Sequence, residues 1–315
     1  MLFENIFTTF QKQFMHWSSK FISFGGRLTL IKSVLNSIPI FIFHTLNPLA
    51  NVCNRLEILI NKFFCGSSYN NSGIRWAKWL KLCGVYKEGD LGCKSISDMV
   101  KGFSHKLWFN FRSNISLWSQ FMLAKYCKGL HPLNAQYKNT DFAVWKRICK
   151  IKEEADLYIQ YGLGNGDVAF WQDDWLGFAS IDRILNTVTL ENVKVNAFLV
   201  NGEWNTDRLR EVIPYEVVSL ILKIPLQLHI KDKILFKNTS NGKFSFEKLW
   251  ELLRDKEEVN HIYKALWHNT IPVSYSLLTC IFLWILNYGI RIFILFLNVS
   301  VVLILRVFIT FLSIV

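Results

Sequence analysis

Apolar residues at helical spacing dominate the first third of the chain and restrict it to short helices packed on one another. Phe3, Ile6, Phe7, Phe10, Phe14 and Trp17 recur three or four apart. So do Leu28, Ile31, Leu35 and Ile38, then Val52, Leu56, Leu59, Ile60, Phe63 and Phe64. Each set lines one face of a helix that must be covered by another element. Gly25 and Gly26 read as a hinge ahead of the second stripe, with Arg27 and Lys32 off its apolar face. Pro39 reads as its stop, because proline pushes Ile38 out of the helical region. Residues 41–48 form a further short apolar element closed by Asn47-Pro48, and Gly66 is placed to cap the third stripe.

Residues 66–73 are a polar loop. The stretch 74–83 then alternates aromatic and basic residues, a mixture that suits base stacking and phosphate contact as well as a tryptophan-anchored core. A helix begins near Ser95, which with Asp98 makes a capping pair. Ile96, Met99, Val100, Phe103, Leu107 and Phe111 are its buried face, with Lys94, Lys101, Lys106 and Arg112 outside.

Charge is uneven. Residues 1–150 hold 20 Lys and Arg against 6 Asp and Glu, whereas residues 151–279 hold 14 against 18. A half that basic favours polyanions, since neutralised phosphates release counterions. The 12 tryptophans supply flat anchors for cores or for bases. Seven cysteines include no Cys-x-x-Cys pair and no zinc-ligand spacing with His105 or His131, so they read as reduced, mostly buried thiols of a cytosolic or nuclear protein. Residues 1–10 lack the basic start and sustained apolar core of a targeting signal.

Beyond 150 the texture changes. Gly164-Asn165-Gly166 departs from a dinucleotide fingerprint and reads as a hairpin turn leading into 168–171. Asp173-Asp174 invites a two-metal reading. It lies between Trp171 and Trp175, however, and not in a turn between two strands with a third aspartate far upstream, which favours a structural role. Residues 232–236, a turn at 238–242 and residues 243–246 read as strand, turn and strand, with Asn241-Gly242 as the hairpin signal. A helix over 247–254 follows. The whole reads as an α+β protein, with a mainly helical first half, short β-hairpins plus helices in the second, and an apolar helical tail.

Several stretches carry a resemblance beyond periodicity. The run from Gly25 to Pro39, Gly-Gly-Arg-Leu-Thr-Leu-Ile-Lys-Ser-Val-Leu-Asn-Ser-Ile-Pro, closely resembles a segment of plant LINE-type (non-LTR) retrotransposon polyproteins that lies downstream of the reverse-transcriptase palm. Arg75-Trp76-Ala77-Lys78-Trp79, Leu82-Cys83, 87–92, 106–112, Leu117-Trp118, Lys125-Tyr126-Cys127, Leu130-His131-Pro132 and Val144-Trp145-Lys146-Arg147 resemble its successive blocks in order. So do Gly164-Asn165-Gly166, Phe170-Trp171, Asp173-Asp174-Trp175 and Asn201-Gly202-Glu203-Trp204. Residues 261–279 resemble the opening of the family's reverse-transcriptase zinc-binding domain, and the likeness stops near Cys280.

The resemblance implies a basic, helical thumb- or connection-like segment over 1–150 and a hairpin-rich segment over 151–260. It implies a truncated start of the zinc-binding domain over 261–279. Residues 280–315 are an apolar tail, read either as a frameshifted translation, favoured by the sharp break, or as a membrane span. The expected protein is a degenerate fragment without the polymerase palm or the zinc ligands. It is expected to be no enzyme, with no catalytic residue, metal or cofactor, and its missing palm is the expected packing partner. Its remaining activity would be non-specific binding of RNA or DNA through Arg27, Lys32, Arg75, Trp76, Lys78, Trp79, Lys81, Lys101, Lys106 and Arg112. The alternative is a single-pass membrane protein anchored by 292–315. The family implies a nuclear or cytoplasmic location, and an inserted tail a membrane one.

Overall fold

A computed structural model describes residues 3–18, 22–65, 78–259, 261–268, 271, 275–277 and 279–280. The expected cap at Gly66, the pair Arg75 and Trp76, and the tail from 281 lie outside these residues. The fold is α+β, as expected: helices joined by short antiparallel strand pairs. The chain divides into two compact units, neither continuous in sequence. One comprises Met1–Ile42, Pro48–Met99 and Arg254–Val315, the other Phe43–Asn47 and Val100–Leu253.

The first unit opens with α1 (Glu4–Ser18), whose stripe buries Ile6, Phe7, Phe10 and Phe14. Next comes α2 (Phe24–Leu30), which runs on as a π-helical turn, Ile31–Leu35. Ser23 caps α2, its Oγ accepting the Gly26 N–H at 3.2 Å. Gly25 and Gly26 therefore lie inside the first helical turn, and the expected hinge ahead of the helix is corrected. Pro39 is corrected too. The winding ends at Leu35, and Pro39 falls in the first turn of α3 (Ile38–Thr45), where its missing N–H has no intrahelical acceptor to lose.

In α4 (Ala50–Phe64) the third stripe is realised. Phe63 meets Phe14 edge-on at 5.3 Å, and Phe64 meets Phe24 at 6.0 Å. After the short α5 (Trp79–Leu82), α6 (Ile96–Ser113) starts at the expected cap, with Ser95 Oγ accepting the Asp98 N–H at 2.9 Å. Distant sequence is clasped at Glu88. Arg254 donates Nη1 and Nη2 to its two carboxylate oxygens at 2.6 and 2.7 Å, both side chains being buried. This fork pairing ties residue 254 to the first hundred residues.

Two apolar centres of the second unit lie among the described residues. In the first, Trp108 and Phe111 of α6 pack with Met122 of α7 (Leu117–Met122) and with Trp145 and Ile148 of α8 (Ala143–Asp156). Phe111 meets Trp145 edge-on at 5.7 Å, and Tyr126 stacks on Trp145 at 4.6 Å. Strand β1 (Ile159–Gly162) runs from α8. The second centre gathers Phe170, Trp175, Ile181 of α9 (Ile181–Leu185) and Phe198, then Leu209 of α10 and Val217, Val218 and Ile221 of α11. Here α10 is Thr206–Val212 and α11 is Tyr215–Ile221. Phe170 stacks on Phe198 at 4.0 Å, and the Trp175 indole donates to Phe170 O at 2.9 Å. The aromatic block around Asp173-Asp174 is thus a core.

Between α9 and α10, β2 (Leu199–Val200) and β3 (Glu203–Trp204) form a two-residue hairpin. Asn201 and Gly202 both have positive φ, 51° and 85°, as such a turn demands. The hairpin expected at 232–246 does not form. Strand β4 (Lys233–Phe236) pairs instead with β1, Ile159 opposite Phe236 and Gly162 opposite Lys233. The Asn241-Gly242 turn only folds back, Gly242 O accepting the Phe236 N–H at 2.8 Å before α12 (Phe246–Leu253).

Arg147 explains why Phe43–Asn47 belongs to this unit. From α8 it donates to Phe43 O at 2.8 Å, Leu46 O at 3.3 Å, Val100 O at 3.1 Å and Ser104 Oγ at 2.8 Å. Burial alone pulls its pKa down to about 10. Lysine offers a single ammonium and cannot serve four acceptors arranged around a planar fork. Arg147→Lys is expected to destabilise the protein by about 2–4 kcal/mol in urea unfolding, since buried acceptors lose their donors. A loss under about 0.5 kcal/mol, the size of an ordinary surface change, would show that the clasp is dispensable.

Candidate functional site

The cations expected to face a polyanion fall into three groups. In the first unit, Arg27 is half-buried. Its Nη1 donates to Phe64 O at 3.4 Å and its guanidinium sits 5.4 Å from the Phe24 ring centre, while burial lowers its pKa. Lys32 donates to the Tyr86 hydroxyl and lies 4.4 Å from the centre of that ring. Both are engaged inside their own unit. Lys78, the residue before α5, and Lys81 within it are exposed. Trp79 between them is only 3% exposed and packs edge-on against Phe64 at 6.0 Å, so it is not presented for stacking on a base.

In the second unit, Lys101 is exposed and pairs with Glu154 at 2.7 Å. Lys106, one and a half turns further along α6, is half-buried. Arg112 is the clear correction to the expected set. Its side chain is 4% exposed and lies in a cluster that no motif announced. Nη2 donates to Asp173 Oδ1, Nη1 lies 2.9 Å from His131 Nε2, and Nε is 3.7 Å from Asp156 Oδ1. Asp156 also accepts the Trp108 indole N–H at 3.1 Å. Asp173 accepts the Ala169 N–H at 2.9 Å through its other oxygen.

The protonation states follow from this geometry. Burial pushes the Asp173 carboxyl up, but Arg112 and the His131 hydrogen bond more than reverse this and hold it at about 2. Burial raises Asp156, which Arg112 only partly opposes. Burial, then the charge of Arg112, lowers His131. His131 Nδ1 accepts the Leu133 N–H at 3.3 Å, while its Nε2 lies 2.9 Å from Arg112 Nη1 and 3.1 Å from Asp173 Oδ1. The cluster is thus an arginine–carboxylate pair beside a neutral imidazole.

Asp173 and Asp174 do not converge. Asp174 Oδ1 accepts the Gly177 N–H at 2.9 Å, and Lys237 Nζ lies 2.5 Å from its Oδ2, off the angle of a hydrogen bond. Among the described residues no three His, Cys, Asp or Glu side chains gather to hold a metal ion. All seven cysteines are free thiols, with Cys53, Cys93, Cys127 and Cys280 buried.

The Gly164-Asn165-Gly166 turn is a backbone nest filled by Asp232, the first residue of the expected strand over 232–236. Its carboxylate accepts the N–H groups of Gly164 at 2.6 Å, Gly166 at 3.1 Å, Asp167, and Val168 at 3.0 Å. A Cβ on Gly164 would stand 2.2 Å from Ile230 O, and Gly166 has φ +77°. The glycines serve close approach of two loops. Elsewhere in the unit a pocket of about 320 Å³ is walled by Leu133, Asn134, Glu153, Gln172, Asp182 and Arg183 among others. Gln172 Oε1 is buried without a hydrogen-bond partner, while its amide nitrogen donates to Thr189 O and Glu191 O.

The fold and these clusters define an α+β protein whose aspartates and glycines at the expected motif serve structure, and whose surface cations come from both units. It is similar to a protein of Arabidopsis thaliana provisionally named as a ribonuclease H protein, with 25% identity over 294 residues, 86% of this chain and 46% of that protein. The chain therefore spans less than half of that relative. No family model and no solved structure match. The expectation of no enzyme is corrected by this likeness, because the relative bears the name of an enzyme family. Among the described residues no helix is long and apolar enough to cross a membrane. Residues 292–315, on which the anchored alternative rests, lie outside them.

Asp173→Asn would strand Arg112 and is expected to cost about 3–5 kcal/mol in denaturant unfolding. His131 carries the pH dependence. Its pKa is lowered in the fold, so its contribution is complete above the ordinary value of 6.5 and is lost as pH falls below it. The stability advantage of wild type over His131→Asn is expected to narrow as pH drops from about 7.5 to about 5. An advantage that stays constant across that window would contradict a neutral His131.

Proposed function

We propose that the chain is a nucleic-acid-binding segment of a plant retrotransposon-type polyprotein of the LINE kind. In this reading residues 1–150 are a thumb- or connection-like stretch and residues 261–279 open a zinc-binding domain. The carrying observation is the likeness to the Arabidopsis protein, whose name refers to a ribonuclease, falling on a chain with 20 basic against 6 acidic residues in its first 150. The ordered series of family blocks supports the same reading.

The contacts assigned to this role are the exposed Lys78, Lys81 and Lys101 with the half-buried Lys106, together with Arg75 and Trp76. Arg27 and Lys32 are already engaged, with Phe64 O and Tyr86. Each cation that meets a phosphate adds about 0.9 to the slope of log affinity against log salt on a duplex. The full chain is expected to bind DNA or RNA duplexes at low salt, weakening steeply as salt rises. Replacing Lys78 and Lys81 together by Gln is expected to lower that slope by about 2 in fluorescence anisotropy. Absence of binding even at about 50 mM salt would overturn the proposal.

The relative's name favours a second reading, hydrolysis of RNA. Cleavage of a labelled RNA–DNA hybrid by the purified chain with magnesium would establish it, and an intact hybrid would count against it.

A further inference from the structure

We infer that a surface of the second unit, centred on Phe121, Lys125 and Phe142, is a stacking platform for single-stranded nucleic acid. It uses none of the residues assigned above and shares with that reading only the class of partner. The rings are presented on regular structure. Leu117, Phe121 and Lys125 are spaced by four along α7 and its π-helical continuation Leu123–Cys127, so they share one face. Phe142 stands at the cap of α8, with Lys146 and Lys150 following it at the same spacing. Phe121 is 53% and Phe142 55% exposed, unusual for phenyl rings.

Lys125 joins the two helices. Its Nζ lies 3.7 Å from the centre of the Phe142 ring, 5.3 Å from Tyr126 and 5.5 Å from Phe121. The platform is anchored from behind. Phe142 meets Tyr126 at 6.5 Å, and the Tyr126 hydroxyl accepts the Phe142 N–H at 3.3 Å. Tyr126 in turn lies flat on the fully buried Trp145. Phe142 is therefore held in place before anything binds, which reduces the ordering cost of a contact.

Charge selects the occupant. Residues 114–150 carry Lys125, Lys128, Lys138, Lys146 and Lys150, with buried Arg147, against the single acid Asp141. An apolar protein surface seated here would strip water from these lysines without giving them partners. A single strand answers both features, with bases for the rings and phosphates for the lysines. A duplex keeps its bases stacked on each other and offers the rings nothing.

The test compares a fluorescein-labelled oligothymidylate of about 20 nucleotides, longer than a usual single-strand site, with a duplex of the same length. The full chain is used, as wild type and as Phe121→Ala/Phe142→Ala. That variant is expected to lose at least about tenfold in affinity for the single strand, while duplex binding stays within about twofold. Phe121→Tyr/Phe142→Tyr keeps the rings and is expected to retain wild-type binding, which separates stacking from a folding defect. Unchanged single-strand affinity in the alanine variant would overturn the inference, as would an equal loss on both ligands. Loss of self-association in sedimentation with single-strand binding intact would overturn it in favour of a contact between copies. Wild type that binds duplex but not the single strand sinks this inference alone, and wild type that binds neither sinks the broader reading as well.

Discussion

The pairing of Arg112 with Asp173 is the contact on which the second unit depends. It brings the end of α6 to the aromatic block that forms the second apolar centre, across 61 residues of sequence. Around it, His131 and Asp156 supply the remaining partners, and Trp108 and Ala169 donate to the two carboxylates. Taking a guanidinium and carboxylates out of water costs several kcal/mol per ion, which the mutual attraction offsets only when the geometry is well satisfied. Such a cluster contributes little net stability over an apolar one. It contributes specificity, because any other pairing of these elements would leave a charge buried alone.

The same logic runs through the rest of the chain. Arg147 gathers three carbonyls and a hydroxyl, Arg254 forks onto Glu88, and Asp232 fills a nest of four backbone N–H groups. Each device joins segments far apart in sequence through groups whose partners must be present together. Helices as short as α5 or α9 have too few residues to be stable by themselves. The first is held by Trp79 packed on Phe64, the second by Ile181 in the apolar centre with Phe170 and Phe198.

Local order was legible where periodicity and capping act within one element. The stripes of α1 and α4 and the Ser95 cap of α6 follow from residues three and four apart. What failed depended on tertiary partners. The strand at 233–236 was readable, but its pairing with β1 rests on Asp232 seating itself in the Gly164–Gly166 turn, 66 residues away. Pro39 was read as a stop, although proline is equally at home in a helix's first turn, and only the early end of winding at Leu35 decided between them. Arg112 was read as a surface cation because it lies off the apolar stripe. Its true partner, Asp173, carries no signal linking the two in sequence.

The placement of the cations changes what the basic first half can do. A charge count treats every Lys and Arg as available to a ligand, whereas several are spent inside. Arg112 and Arg147 are buried, and Arg27 and Lys32 are engaged with neighbours in their own unit. Lys101 is offset by Glu154. Among the described residues the field that reaches solvent comes from those left over, Lys78, Lys81 and Lys87 among them in one unit, and Lys106 and the lysines following α7 in the other. Exposed lysines beside exposed rings form a surface that neither a purely electrostatic ligand nor a purely apolar one satisfies. The proposed contact with accessible bases rests on that combination rather than on the net charge of +12.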